Sequence, residues 1–220
     1  MTRLTARDGH ELDAYEVHPD GAAASVVVVQ EIFGVNAHIR SVVDRYASFG
    51  YRAVAPALFD RGERGVELGY DDAGRQRGIE LAMQIAFDPA TLDVAAAVEH
   101  VADTGPVAVV GYCFGGSLAW IAASELPIAA AVGYYGGQIH AMIGRQPQVP
   151  TMLHFGELDH GIPLEQVEAI AAAHPDVAVH VYPGAEHGFS CDARASHDAR
   201  SAAIALGRTL DFLAGHGVTP

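Results

Sequence analysis

The chain has 220 residues, half of them hydrophobic but only 8% aromatic, with a formal net charge of −14. One substantial core filled by Ala, Val and Leu fits these figures, as in a helix-covered parallel sheet, whereas a disordered chain does not. The charge repels phosphate backbones and anionic lipids with no Lys/Arg block to offset it, which disfavours nucleic-acid and membrane partners.

From the N-terminus, "TRLTA", the Asp8-Gly9 pair and "HELDAYEVH" read as an antiparallel hairpin, because Asp-Gly supplies the positive φ angles of a tight turn. "SVVVVQ" follows, a continuous β-branched run typical of a strand buried on both faces. Helix-period and strand-like segments then alternate: "NAHIRSVVDRYASFG", "YRAVAPA", the region 75–104, "VAVVGY", "GSLAWIAASE", "IAAAVGYYG", "TMLHFG", "LEQVEAIAAAH", "AVHVYP" and "ARSAAIALGRTLDFLAG". The alternation predicts a mostly parallel sheet with helices on both faces, formed by one domain over residues 1–220. Between Phe59 and Gly74, "FDRGERGVELGYDDAG" lacks apolar periodicity and reads as a long loop of the kind that lies over sites. No run reaches the ~18 apolar residues of a spanning helix, and the N-terminus lacks an apolar signal core, so a cytoplasmic protein is expected.

The strand-like "VAVVGY" runs into Cys113-Phe114-Gly115-Gly116 and gives way to a helical pattern. A strand that turns sharply into a helix strains the central residue and tolerates only small neighbours, here Gly111, Gly115 and Gly116, which is the layout of a nucleophile elbow. At a helix N-terminus the thiolate of Cys113 is favoured by the helix dipole, and free N–H groups are at hand for an oxyanion. A buried structural cysteine at a tight turn is the competing reading. Asp159 follows "TMLHFG" and His187 follows "AVHVYP", so nucleophile, acid and histidine stand in the chain order of α/β-hydrolases, each past the carboxyl end of a strand. His154 within a strand, His160 beside the acid, His174 before Pro175 and His180 on a strand fit less well. Cys113 and Cys191 have neither disulfide-framework nor zinc-type spacing, and the twelve histidines include no His-Glu-x-x-His pair. Free thiols, no metal and no other cofactor are therefore expected.

On these residues the chain resembles the dienelactone hydrolase family of α/β-hydrolases, through "QEIFG" at 30–34, "GYCFGG" at 111–116, "VGYYG" at 132–136, "GELDHGIP" at 156–163 and "AEHGF" at 185–189. The resemblance implies the α/β-hydrolase fold without a separate cap domain. It also implies hydrolysis of a small-molecule carboxylic ester or lactone through an acyl-cysteine, with carboxymethylenebutenolidase the leading activity. Glu31 is then expected beside Cys113, helping to activate it, and the N–H groups of Ile32 and Phe114 are expected to form the oxyanion hole. Tyr134 and Tyr135 match a family tyrosine pair, of which Tyr135 is assigned to the substrate pocket. Family members that hydrolyse dienelactone hold its carboxylate with arginines. Arg77 is the main counterpart here, with Arg75 beside it, whereas Cys191 fills the second arginine position and Arg194 is the nearest alternative. Leu81 and Gln84 replace expected aromatic residues. Two other readings stay open: a broad esterase for small activated esters, and a non-catalytic relative whose cysteine senses oxidants or binds a ligand. A monomer or homodimer is expected.

Overall fold

The β-branched and alanine-rich runs form one eight-stranded sheet in the computed structural model, which describes residues 2–220. The strands are β1 (Thr2–Thr5), β2 (Glu11–Val17), β3 (Ser25–Val29), β4 (Arg52–Pro56), β5 (Val107–Tyr112), β6 (Ala130–Tyr134), β7 (Thr151–Gly156) and β8 (Ala178–Tyr182). Their spatial order is β1-β2-β4-β3-β5-β6-β7-β8. β1 and β2 pair antiparallel across the Asp8-Gly9 turn, β2 is antiparallel to β4, and every later neighbour is parallel. The mostly parallel sheet with an N-terminal hairpin is thus as the sequence pattern expects.

Six helices cover the sheet: α1 (Ala37–Ser48), α2 (Asp72–Ile85), α3 (Phe87–Val101), α4 (Phe114–Glu125), α5 (Leu164–Ala173) and α6 (Ala199–Gly215). Successive side chains of β3 point to opposite faces, so Val26 and Val28 join the buried cluster that contains Ile39 of α1 and Leu213 of α6, while Val27 and Val29 join the one that contains Val94 of α3 and Leu118 of α4. All four valines are fully buried, which is why this strand reads as an unbroken apolar run. No single helix among the described residues is long and apolar enough to cross a membrane.

Two segments depart from the simple reading. The region 75–104 falls within two helices, α2 and α3, set 88° apart. Ala86 between them has φ 55°, and Pro89 lies in the first turn of α3, where its missing N–H is harmless. In a continuous helix the Pro89 ring would meet the Ile85 carbonyl. The loop after β4 begins with a 3₁₀ turn (Leu58–Arg61) and is pinned across the end of β3. Leu68 N–H donates to the Phe33 carbonyl at 2.9 Å, and Asn36 Nδ2 donates to the Leu68 carbonyl at 3.2 Å. Gly34 permits the contact: its φ is 78°, and a Cβ there would lie 1.9 Å from the Val66 carbonyl oxygen.

The chain leaves β3 for β4 on one side and reaches β5 on the other, so a topological switch point opens at the carboxyl ends of β3 and β5. Val29 is in register with Gly111. Two residues further along each strand stand Glu31 and Cys113.

Candidate active site

The turn from β5 into α4 holds Cys113 at φ 55° and ψ −109°, a conformation rarely adopted by a residue with a side chain. Close packing of backbone enforces it. A Cβ on Gly115 would lie 2.2 Å from the Val29 carbonyl oxygen, and one on Gly111 would lie 1.8 Å from the Gly115 oxygen. The turn is tied down by Cys113 N–H to the Tyr134 carbonyl at 2.9 Å and Gly115 N–H to the Gln30 carbonyl at 3.0 Å. The sulfur is therefore presented from a rigid corner at the N-terminus of α4.

Cys113 lines a cavity of about 450 Å³ together with His187, Ile32, Phe87, Phe114 and Met83. The Phe114 N–H, at the first helical position, lacks an intrahelical partner, and the Ile32 N–H donates to no backbone carbonyl among the described residues. The bend between α2 and α3 supplies the far wall, through Ala82, Met83, Ala86 and Phe87. Phe87 stacks on Phe114 with ring centres 5.0 Å apart. Apolar surface dominates this lining.

Asp159 follows β7 and is buried; its Oδ1 accepts from Gly161 N–H at 2.9 Å and its Oδ2 meets His187 Nδ1 at 2.7 Å. The His187 ring packs against Tyr135, whose centre lies 5.0 Å away. Burial disfavours a charged ring, but the neighbouring Cys113 sulfur and the Asp159 carboxylate outweigh it and push the His187 pKa up to about 10. Tyr135 itself is fully buried with φ 39°, and its hydroxyl meets Ser190 Oγ at 2.8 Å. It forms the wall behind the histidine and is not among the cavity-lining residues.

Glu31 is fully buried, and its carboxylate faces the loop above the sheet. Tyr70 Oη donates to Oε2 at 3.0 Å, and Arg194 Nη1 lies 3.4 Å from Oε1. The guanidinium of Arg194 lies over the adjoining rings of Phe33 and Tyr70, 5.8 and 5.9 Å from their centres. Cys191 and His38 complete the surroundings of Glu31: a ring nitrogen, the sulfur and a carboxylate oxygen all lie within 4.8 Å of one another. Burial and then the Glu31 charge push the Cys191 thiol up to about 12.

The candidate residues do not all converge. Arg77 lies on an exposed face of α2, paired with Glu63 and with Glu80, and neither it nor Arg75 lines the cavity. Arg194 reaches Glu31 although Cys191 occupies the expected sequence position. The sequence pattern gave no notice of Tyr70 or His38. Tyr70 belongs to the long loop whose aperiodicity hides any direction, and His38 lies on α1, a helix that carries no motif.

A model of the dienelactone hydrolase family matches residues 12–217. The chain belongs to the dienelactone hydrolase family. A carboxymethylenebutenolidase of Pseudomonas putida is 36% identical over 222 residues, covering 96% of this chain and 94% of that one. Among solved structures, a dienelactone hydrolase-like promiscuous phosphotriesterase from metagenomic libraries superimposes with a TM-score of 0.76 at 20% identity, covering 98% of this chain and 97% of that one. An esterase of Pyrococcus furiosus gives 0.71 at 16% identity, with coverage of 98% and 90%. Both carry the same α/β-hydrolase fold. The family membership makes the chain an ester hydrolase of the dienelactone hydrolase type.

Proposed function

We propose that the chain hydrolyses a carboxylic ester or lactone through Cys113 as nucleophile, His187 as general base and acid, and Asp159 as the group that orients the histidine. The observation that carries this reading is the strained Cys113 turn opening on the same cavity as His187, whose ring is held by Asp159 at 2.7 Å. His187 takes the thiol proton, and the thiolate attacks the substrate carbonyl carbon. The N–H groups of Ile32 and Phe114 donate to the carbonyl oxygen and stabilise the charge that develops on it, each donor contributing about 3 kcal/mol. Collapse of the tetrahedral intermediate expels the alkoxide or enolate, which takes the proton from His187. Water then attacks the acyl-cysteine, loses its proton to His187, and releases the acid product and the thiol. Glu31 supports thiolate formation from the neighbouring strand end.

A thiolate is both a good nucleophile and a good leaving group, so activated esters and enol lactones suit this mechanism better than amides. Carboxymethylenebutenolide, the substrate in the name of the Pseudomonas putida relative, is one such lactone. A second reading, hydrolysis of small neutral esters, is favoured by the apolar cavity lining and by the engagement of Arg77 with Glu63 and Glu80.

Hydrolysis of p-nitrophenyl acetate should fall to background in Cys113→Ala with folding intact; activity that survives in this variant would exclude the proposed nucleophile. Comparing dienelactone with neutral esters, in wild type and in Arg77→Ala, separates the two substrate readings. A preference for the neutral esters that Arg77→Ala leaves unchanged removes the carboxylate clamp.

A further inference from the structure

Beside the substrate cavity, one buried cluster joins Glu31 to two further donors, His38 and Cys191, that ester hydrolysis does not need. Glu31, His38 and Cys191 are distant in sequence, and all three are buried. Their donor atoms, one carboxylate oxygen, one imidazole nitrogen and one sulfur, lie within 4.8 Å of one another. Oxygen, nitrogen and sulfur together suit a borderline-soft divalent ion, which in a tetrahedral site takes ligands at about 2.0 to 2.3 Å, so inward shifts of well under a side-chain length would close the shell.

The state of His38 is a second and independent observation. Its Nδ1 meets Asp192 Oδ1 at 2.8 Å, the carboxylate–histidine pairing that orients metal-ligating imidazoles. Its Nε2 is buried without any hydrogen-bond partner among the described residues. A buried, unpartnered polar atom normally costs about 1–3 kcal/mol, and a bound cation would satisfy it. Facing the cluster are Tyr70, which donates to Glu31, and the Arg194 guanidinium, which competes with any cation for Glu31 Oε1.

We propose that Glu31, His38 and Cys191 form a binding site for a divalent cation of the zinc class, and that its occupation inhibits the enzyme by withdrawing Glu31. Binding releases the Cys191 thiol proton to solvent, so two anionic ligands and one neutral imidazole meet the ion, and a water completes the tetrahedron. Arg194 must turn away from Glu31 as the ion enters. The inhibitory half rests on the role proposed for Glu31; the binding half does not.

The test uses Co²⁺ as probe in Cys113→Ala protein, in which Cys191 is the remaining thiol. Titration should give a near-ultraviolet thiolate-to-cobalt band saturating at one equivalent. Cys191→Ser should abolish it. Asp192→Asn, at an exposed residue behind His38, should weaken binding by about ten- to a hundredfold. Arg194→Gln should tighten it, a gain that misfolding would not produce. Absence of the band, or a band unchanged in Cys191→Ser, overturns the site. Zn²⁺ should then inhibit wild-type ester hydrolysis more strongly than that of Cys191→Ser, each relative to its own metal-free rate. Equal inhibition would place the inhibitory ion on Cys113 and His187 and overturn the regulatory half. Loss of hydrolysis as an activity, with the cobalt band intact, would count against the proposed function alone.

Discussion

Two carboxylates, one partly and one fully buried, sit at opposite ends of the parallel strands, and their surroundings differ in a way that separates scaffold from candidate site. Glu16 lies where the strands begin. Thr2 Oγ1 donates to it at 2.7 Å, Arg52 Nε at 2.8 Å, and His100 Nε2 lies at 3.0 Å. Arg52 is further held by Asp103 and Thr104, at 2.7 and 3.0 Å. Glu31 lies where the strands end, is still more deeply buried, and has only the Tyr70 hydroxyl at 3.0 Å and a long 3.4 Å approach from Arg194. A network saturated with short bonds resists rearrangement, whereas a loosely held charge beside an imidazole nitrogen without a partner keeps the freedom to change partners. The first arrangement fixes the hairpin to the sheet; the second lies beside the candidate site.

That contrast can be broken by substitution. Glu16→Ala removes one of the two carboxylates that hold the Arg52 guanidinium and should cost about 2 kcal/mol of unfolding free energy in urea titration, with the hydrolytic rate per folded molecule unchanged. Glu31→Gln retains the shape and the Tyr70 contact, so its unfolding free energy should change by less than about 1 kcal/mol while kcat/KM falls about a hundredfold. If both variants lose mainly stability, the two carboxylates are alike and the contrast fails.

The two ends also titrate in opposite directions. Burial resists ionisation of Glu16, but its partners Thr2, His100 and Arg52 hold its pKa down to about 2 from the usual 4.5. Its contribution to stability is present above pH 4.5 and lost as pH falls through about 2. The His187 pKa is raised from 6.5 to about 10, so its contribution is present below pH 6.5 and lost as pH rises through about 10. Thermal unfolding followed across pH should therefore show Glu16→Gln flattening only the acid limb and Asp159→Asn only the alkaline one. The smallest effect belongs to a surface pair: Arg145→Ala, which breaks its contact with Glu125, should shift the unfolding free energy by no more than about 1 kcal/mol.

Much of this architecture was legible in the residue order. "SVVVVQ" and "VAVVGY" announce doubly buried strands because neighbours on both faces require apolar side chains at every position. The glycines around Cys113 announce a tight corner because carbonyl oxygens stand where their Cβ atoms would go. The break at Ala86 was not read from the residue order, since the apolar period continues across it and conceals a large change of direction. Arg77 shows the limit of spacing: its position in a helix could be read, but the outward turn follows from Glu63, which a loop without periodicity brings alongside. Arg194 shows the converse, since a guanidinium at the end of a long side chain reaches Glu31 from three residues beyond the expected place.

By itself, then, the sequence determined the β/α alternation, the strained Cys113 turn and the placing of Asp159 and His187 past strand ends, because each depends on local pattern and backbone sterics. Only the tertiary structure decided which side chains surround Glu31. Tyr70, His38, Cys191 and Arg194 come from a loop, a helix and the segment between β8 and α6, and meet there because the loop after β4 is tied across the end of β3, where the sheet order places β5 alongside. Contacts between residues so far apart in the chain depend on topology, which no local spacing encodes.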